Sequence, residues 1–279
     1  MGVLLAAADT AGSVPVLQYV IIGLVTGALY ALIALGYTMV YGIVELINFA
    51  HGDLFMLGSF LALQLASIGA IVAMGPAAAV PLMLLAVPIF CATLNVGVDQ
   101  FVYRPLRHAP KLAPLVSAIG VSFIFMNVGL FWFGPVDQNV PSIVGSANLT
   151  EGTGIRFTSK DLMVIAITVP TMLALTAFVR LAPLGKAMRA TAQNPTAAAL
   201  MGINVDRVIA TTFAIGGALA GVAGVVYGQY FNTVGYQIGF QNGLYAFTAA
   251  VLGGIGNIPG AVLGGLVIGL VRSLGSAYV

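Results

Sequence analysis

Charge is what this sequence has least of. Only 6% of its 279 residues are Asp, Glu, Lys or Arg, against 60% hydrophobic, and the mean hydropathy is +1.06. A soluble globular domain is excluded, because such surfaces are rich in charged side chains. Cysteine is nearly absent too. Cys91 stands alone inside an apolar run, so no intrachain disulfide can form. There is no Walker-type phosphate loop and no Cys/His cluster with metal spacing. His51 and His108 lie far apart, and His51 with Asp53 has no nucleophile arranged beside it. These absences argue against an enzyme and against a resident metal, and no nucleic-acid partner is expected. The leading MGVLLAAADTAGSVP lacks a basic region, so it does not read as a cleavable signal.

What remains is apolar length. A bilayer-spanning helix needs about 20 apolar residues. Val16–Gly42, Phe49–Val72, Ala78–Val98, Leu112–Phe133, Leu162–Leu181, Val208–Tyr230 and Leu244–Val271 qualify. Basic residues gather between them in Asp99–Lys111 (Arg104, Arg107, Lys111) and in Arg180–Arg207 (Arg180, Lys186, Arg189, Arg207). Gly134–Asp161 instead carries Asp137, Glu151 and Asp161 against Arg156 and Lys160. The positive-inside rule makes the first two segments cytoplasmic and the third external. Counting outward puts the N-terminus outside and Arg272 inside. Within the external segment, Ile155-Arg156-Phe157 reads as a short strand.

Glycines mark expected helix packing. Gly217, Gly221, Gly224 and Gly228 share one helical face, and Gly23 with Gly27, Gly260 with Gly264 and Gly265 with Gly269 are further small-residue pairs. Two stretches interrupt the apolar runs. The first is Glu45-Leu46-Ile47-Asn48-Phe49-Ala50-His51-Gly52-Asp53, the second Gly256-Asn257-Ile258-Pro259-Gly260. Paired interruptions of this kind point to inverted repeats and a central binding path. Two readings of the first are open. It is a plain cytoplasmic turn with His51 and Asp53 solvated, or Asn48, His51 and Asp53 belong to a gate, with Tyr30, Tyr37 and Tyr41 on the helical face leading to it. Asn257 is the matching candidate in the second. Asn127, in mid-span, must bond to a neighbouring helix or face a wet cavity, and interhelix packing is the expected role.

The loop Pro183–Arg207 looks structured. Asn194 can cap a helix, Pro195 suits its first turn, and Gly202 can take the left-handed position after it. Lys186 and Arg189 set cations on one face just before it. Either a soluble partner grips this element or it is a connector lying on the bilayer.

Residues 28–60, ALYALIALGYTMVYGIVELINFAHGDLFMLGSF, resemble the permeases of high-affinity branched-chain amino-acid ABC importers. So do GKAMRATAQNPTAAALMGINVDRVIATTFAIGGALAGVAGVVYGQY (185–230), AFTAAVLGGIGNIPGAVLGGLVIG (246–269) and YRPLR at Tyr103–Arg107. The likeness is closer to the first of the two permease types in such systems. It implies one all-α transmembrane permease domain over 1–279, a polytopic helical bundle of about seven or eight spans with interrupted helices. It also implies a multi-pass protein of the bacterial inner membrane that moves branched-chain or other hydrophobic amino acids from periplasm to cytoplasm. The implied partners are a second permease subunit, two cytoplasmic ABC ATPases and a periplasmic binding protein. ATP and Mg would sit on the ATPases, with no cofactor on this chain. Urea or short-chain amides are alternative cargoes within the family. A stand-alone secondary transporter is the rival class, and it would need buried carboxylates.

By the same resemblance, residues 183–207 are a cytoplasmic coupling loop. Asn194, Pro195, Ala198, Leu200, Met201 and Gly202 match the helix that docks into the ATPase, with Leu200 and Met201 as the apolar core of that contact and Lys186 and Arg189 at its rim. Thr-Ala-Ala stands at 196–198 where many importers have Glu-Ala-Ala. No charged pair inside the spans is suited to hold a zwitterion. Relatives usually continue past Tyr278-Val279 through another hydrophobic helix, so an eighth span is expected to be missing.

Overall fold

The computed structural model describes residues 16–107, 109–110, 112–150 and 155–278. The N-terminal segment read as lacking a signal, His108, Lys111 and Glu151 lie outside the described residues. In order, the helices are α1 (Val16–Val44), α2 (Ala50–Ala66), α3 (Gly69–Ala73) and α4 (Pro76–Val98). A π-helical turn (Asp99–Tyr103) then leads to α5 (Arg104–Leu106). There follow α6 (Leu112–Phe133), α7 (Ser159–Leu181), α8 (Pro183–Gln193), α9 (Pro195–Leu200), α10 (Val205–Phe231), α11 (Ile238–Leu252) and α12 (Ile258–Tyr278). Among the described residues, six helical stretches are long and apolar enough to cross a membrane. α2 and α11, at 17 and 15 residues, are shorter but run within the same bundle.

α1 and α10 form the centre, and both are buried from several sides. Small residues make this possible, because helices in lipid gain dispersion contacts only by close backbone approach. A Cβ on Gly27 would lie 2.8 Å from the Leu266 Cα, and one on Gly23 would lie 2.9 Å from the Leu270 Cα. On α10, a Cβ on Gly217 would meet Ala92 Cα at 2.9 Å, on Gly221 Pro88 Cα at 2.7 Å, and on Gly224 the Ser59 nitrogen at 2.7 Å. Gly228 differs from its expected partners on that face. Its nearest neighbours are Val140 and Val234 side chains at 3.9 Å, ordinary contact.

The last apolar region departs from the expected single span. Its break ends one helix and begins another, because Gly254 and Gly256 take left-handed φ of 83° and 89°. α11 and α12 therefore form a hairpin. Gly256 at its turn packs on Gly42, while Ser273 donates a hydrogen bond to the Tyr19 carbonyl at 2.7 Å. α12 thus runs antiparallel to α1, and Arg272 lies toward the N-terminal end of α1. The expected placement of Arg272 on the cytoplasmic side is corrected, because one extra passage inverts the parity.

At the end shared by Gln18 and Arg156, β1 (Gln138–Asn139) pairs antiparallel with β2 (Thr233–Val234). Residues 155–157 do not form the expected strand. The chain makes one isolated bridge there, Asn148 with Thr158, before a Thr158/Asp161 capping box starts α7. Asn127 bonds its own helix through the Phe123 carbonyl at 2.8 Å and is exposed, so it does not serve interhelix bonding as expected.

Candidate functional site

The first interruption is buried. Asn48, His51 and Asp53 are 3%, 0% and 1% exposed, which overturns the reading of a solvated turn. Buried polar groups need partners, and three neighbouring elements supply them. Tyr103 donates to the Ile47 carbonyl at 3.1 Å. Asn48 donates to Asn95 Oδ1 at 3.2 Å, and Asn95 donates to the Phe213 carbonyl at 2.7 Å. The His51 ring fills the space a side chain on Gly36 would need and meets the Tyr37 ring edge-on, with centroids 4.7 Å apart. Ser122 of α6 donates to Asp53 Oδ2, whereas Asp53 Oδ1 and Asn48 Oδ1 have no partner within the described chain.

Beside this polar node lies an apolar cleft of about 190 Å³. Tyr37 and Phe49 form its floor, Ile119, Ser122, Phe123 and Met126 of α6 one wall, and Gly239, Phe240, Gly243, Leu244 and Phe247 of α11 the other. Toward the hairpin turn the space narrows to about 10 Å³ between Tyr37, Tyr41, Ile47, Asn48, Phe247, Ala250 and Ile255. That holds one water at most. Tyr41 and Asn48 line this small space, whereas His51 and Asp53 line neither it nor the cleft and sit buried behind Tyr37 and Ser122. Asn257 is not among the lining residues either. It is exposed and accepts from the Gly260 nitrogen at 3.3 Å, capping α12.

A second site occupies the end bearing Arg104, Arg107, Lys186, Arg189 and Arg207. α8 was not foreseen, although Pro183 at its first turn signals a helix start. α9 follows directly. Asn194 accepts from the Ala197 nitrogen at 2.9 Å, Pro195 occupies the first turn, and Gly202 has φ 83°. Leu200 and Met201 are 85% and 83% exposed, whereas Ala198 is 4% exposed. Ala198 faces into the chain and cannot itself be a docking contact, a correction that follows from its position on the inner face of α9. Arg189 donates to the Val179 carbonyl at the end of α7, and Lys186 is exposed.

An ion cluster beside α9 also escaped sequence reading, which used these charges only for topology. Arg107 donates to Asp99 at 2.7 Å and pairs with Asp206, which Arg104 also reaches at 3.0 Å. The Asp99 side chain is 2% exposed and that of Arg107 14%. The signal was present in YRPLR, where Arg104 and Arg107 are one helical turn apart.

A profile of the family described as "Branched-chain amino acid transport system / permease component" matches residues 19–279. The high-affinity branched-chain amino acid transport system permease protein LivH of Salmonella typhimurium is 43% identical over 94% of this chain and 87% of its own length. BraD of Pseudomonas aeruginosa, likewise named a high-affinity branched-chain amino acid permease, is 40% identical over 93% and 86%. A probable branched-chain amino acid permease of Methanocaldococcus jannaschii is 28% identical over 90% and 78%. No solved structure matches the chain.

Proposed function

The chain belongs to the family of branched-chain amino-acid transport permease components, and from that premise we propose that it is the transmembrane permease subunit of an ATP-driven importer of branched-chain amino acids in the bacterial inner membrane. A second permease subunit completes the pathway, two cytoplasmic ATPases carry ATP and Mg, and a periplasmic binding protein delivers cargo. The observation that carries the reading is α9. It is a short, doubly capped helix at the basic end that presents Leu200 and Met201 almost fully to solvent. Each side chain would contribute about 1.5–3 kcal/mol on full burial, so a docking partner gains from covering them. Lys186 and Arg189 stand nearby as polar rim groups.

The same geometry suggests how docking reaches the constriction. α9 leads through Asn204 into α10, whose Asp206 is clamped by Arg104 and Arg107. Arg107 holds Asp99 at the end of α4, and Asn95 one turn earlier holds Asn48 in the break. Movement of α9 by the ATPase would shift this chain of polar contacts and open the gap between Tyr41 and Asn48. The cleft is apolar enough for an aliphatic side chain to pass without a tight site.

The test is Leu200→Glu with Met201→Glu. Loss of substrate-stimulated ATP hydrolysis with normal membrane insertion is expected, and undiminished stimulation would sink the docking assignment. One observation favours a stand-alone secondary transporter, namely the buried carboxylate of Asp53. Leucine uptake into vesicles driven by a proton gradient without ATP would decide for that rival.

A further inference from the structure

Arg272 is the sole charged residue of α12. It is exposed on the bundle and makes no ion pair among the described residues. Instead it donates to Tyr30 Oη, and its guanidinium lies 4.6 Å from the Tyr245 ring centroid and 5.8 Å from that of Tyr30. The two rings are themselves 5.5 Å apart. The neighbouring Ser273 bonds Tyr19, yet Tyr30 lies about 16 Å further along α1. The arginine therefore reaches toward the middle of the bundle, the opposite of snorkelling to headgroups.

A guanidinium costs about 2.5–3.5 kcal/mol or more at the centre of a bilayer, so such a group marks a wet or protein-covered face. α11 agrees, for Gln241, Tyr245 and Thr248 are exposed along one stripe. The adjoining face of that helix, with Leu244 and Phe247, lines the apolar cleft. Arg272 thus packs on Tyr245, next to the helix face that lines the cleft. Its partners are neutral, so its charge is not cancelled. Only part of its five-donor fork is engaged, and the remainder can meet a carboxylate. The aromatic faces steady the cation without neutralising it. Gly265 against Ala31 and Gly269 against Gly27 fix α12 on α1, which holds the group in place.

We propose that Arg272, framed by Tyr30 and Tyr245, is an anion site on the translocation route that takes the α-carboxylate of the passing amino acid. This rests on the importer reading. It supplies what the sequence did not suggest, a charge inside the spans positioned for half of a zwitterion. A single open cation holds weakly, which suits transit.

The test uses the complete transporter purified in a maltoside detergent, which carries no phosphate. Phenylglyoxal modifies guanidinium groups, and mass spectrometry of the peptide containing Arg272 reads the extent. Saturating leucine is expected to reduce labelling by about threefold or more, and leucinamide, which lacks the carboxylate, to leave it unchanged. Equal protection by both, or by neither, overturns the proposal. Protection by phosphatidylglycerol and not by leucine assigns the guanidinium to a lipid headgroup, and overturns it as well. In vesicles, Arg272→Gln is expected to cut maximal leucine uptake about tenfold while stimulated ATP hydrolysis persists, with Arg272→Lys keeping roughly a third or more. Wild-type uptake by Arg272→Gln sinks the anion site and leaves the importer standing. A wild-type complex that carries no leucine sinks the importer reading itself. If Arg272→Gln fails to assemble, the labelling result on the unaltered complex decides.

Discussion

The two interruptions of the apolar runs are built in opposite ways. Residues 45–53 fold polar side chains inward, where Asn48 donates to Asn95, Asp53 accepts from Ser122 and the Ile47 carbonyl accepts from Tyr103. Residues 253–257 use backbone freedom, with Gly254 and Gly256 in left-handed conformations and Asn257 exposed. Yet they meet, since Gly256 packs on Gly42, and Ile47 and Asn48 of the first break line one small space with Ile255 of the second. A buried polar node is rigid when satisfied and costly when broken, whereas a glycine turn costs little to disturb. The first break is therefore the costlier of the two to disturb.

Substitutions can break this contrast, the severest first. Arg107 anchors the end of α4 behind the first break. Arg107→Ala leaves the nearly inaccessible Asp99 without its partner and is expected to cost about 3–5 kcal/mol. Thermal unfolding in detergent measures it, and an unchanged midpoint would show that the cluster is not structural. Asn95→Leu strands the Asn48 amide and removes the second bond to the Phe213 carbonyl, and it is expected to cost about 1–3 kcal/mol by the same assay. A smaller stability change is expected for Asp53→Asn, which can still accept from Ser122. Uptake is the discriminating readout there, because a drop without destabilisation separates a gating role from a packing one.

The second break is expected to be forgiving. Gly256→Ala meets only Gly42 Cα at 3.5 Å, so its cost is the left-handed backbone, about 1–2 kcal/mol. Asn257→Ala removes one long cap bond and is expected to cost about 0.5–1 kcal/mol. Either one matching Asn95→Leu in severity would erase the distinction between node and turn.

Much of the fold was legible because lipid leaves a chain few options. Runs such as Leu112–Phe133 must be helical, since every backbone group needs an internal partner. Asn194, Pro195 and Gly202 announced α9 through local capping, which depends on near neighbours. Two misreadings were local, the strand expected at 155–157 and the partner of Asn127, which is its own Phe123 one turn back. Others were non-local, for nothing beside Ala198 says which side of α9 faces the chain. The inward turn of Arg272 depends on Tyr30 and Tyr245, remote in sequence and opposed across a helix pair.

Composition and periodicity, then, were sufficient for the class of molecule, most of its helices and its basic end, because solvation by lipid and local hydrogen bonding act on contiguous residues, while the family came from the resemblance of its motifs. Packing settled which polar groups are buried together, where the last hairpin turns and on which side Arg272 lies. Those outcomes depend on close approach between distant helices, and the energy of such contacts is set in space and not along the chain.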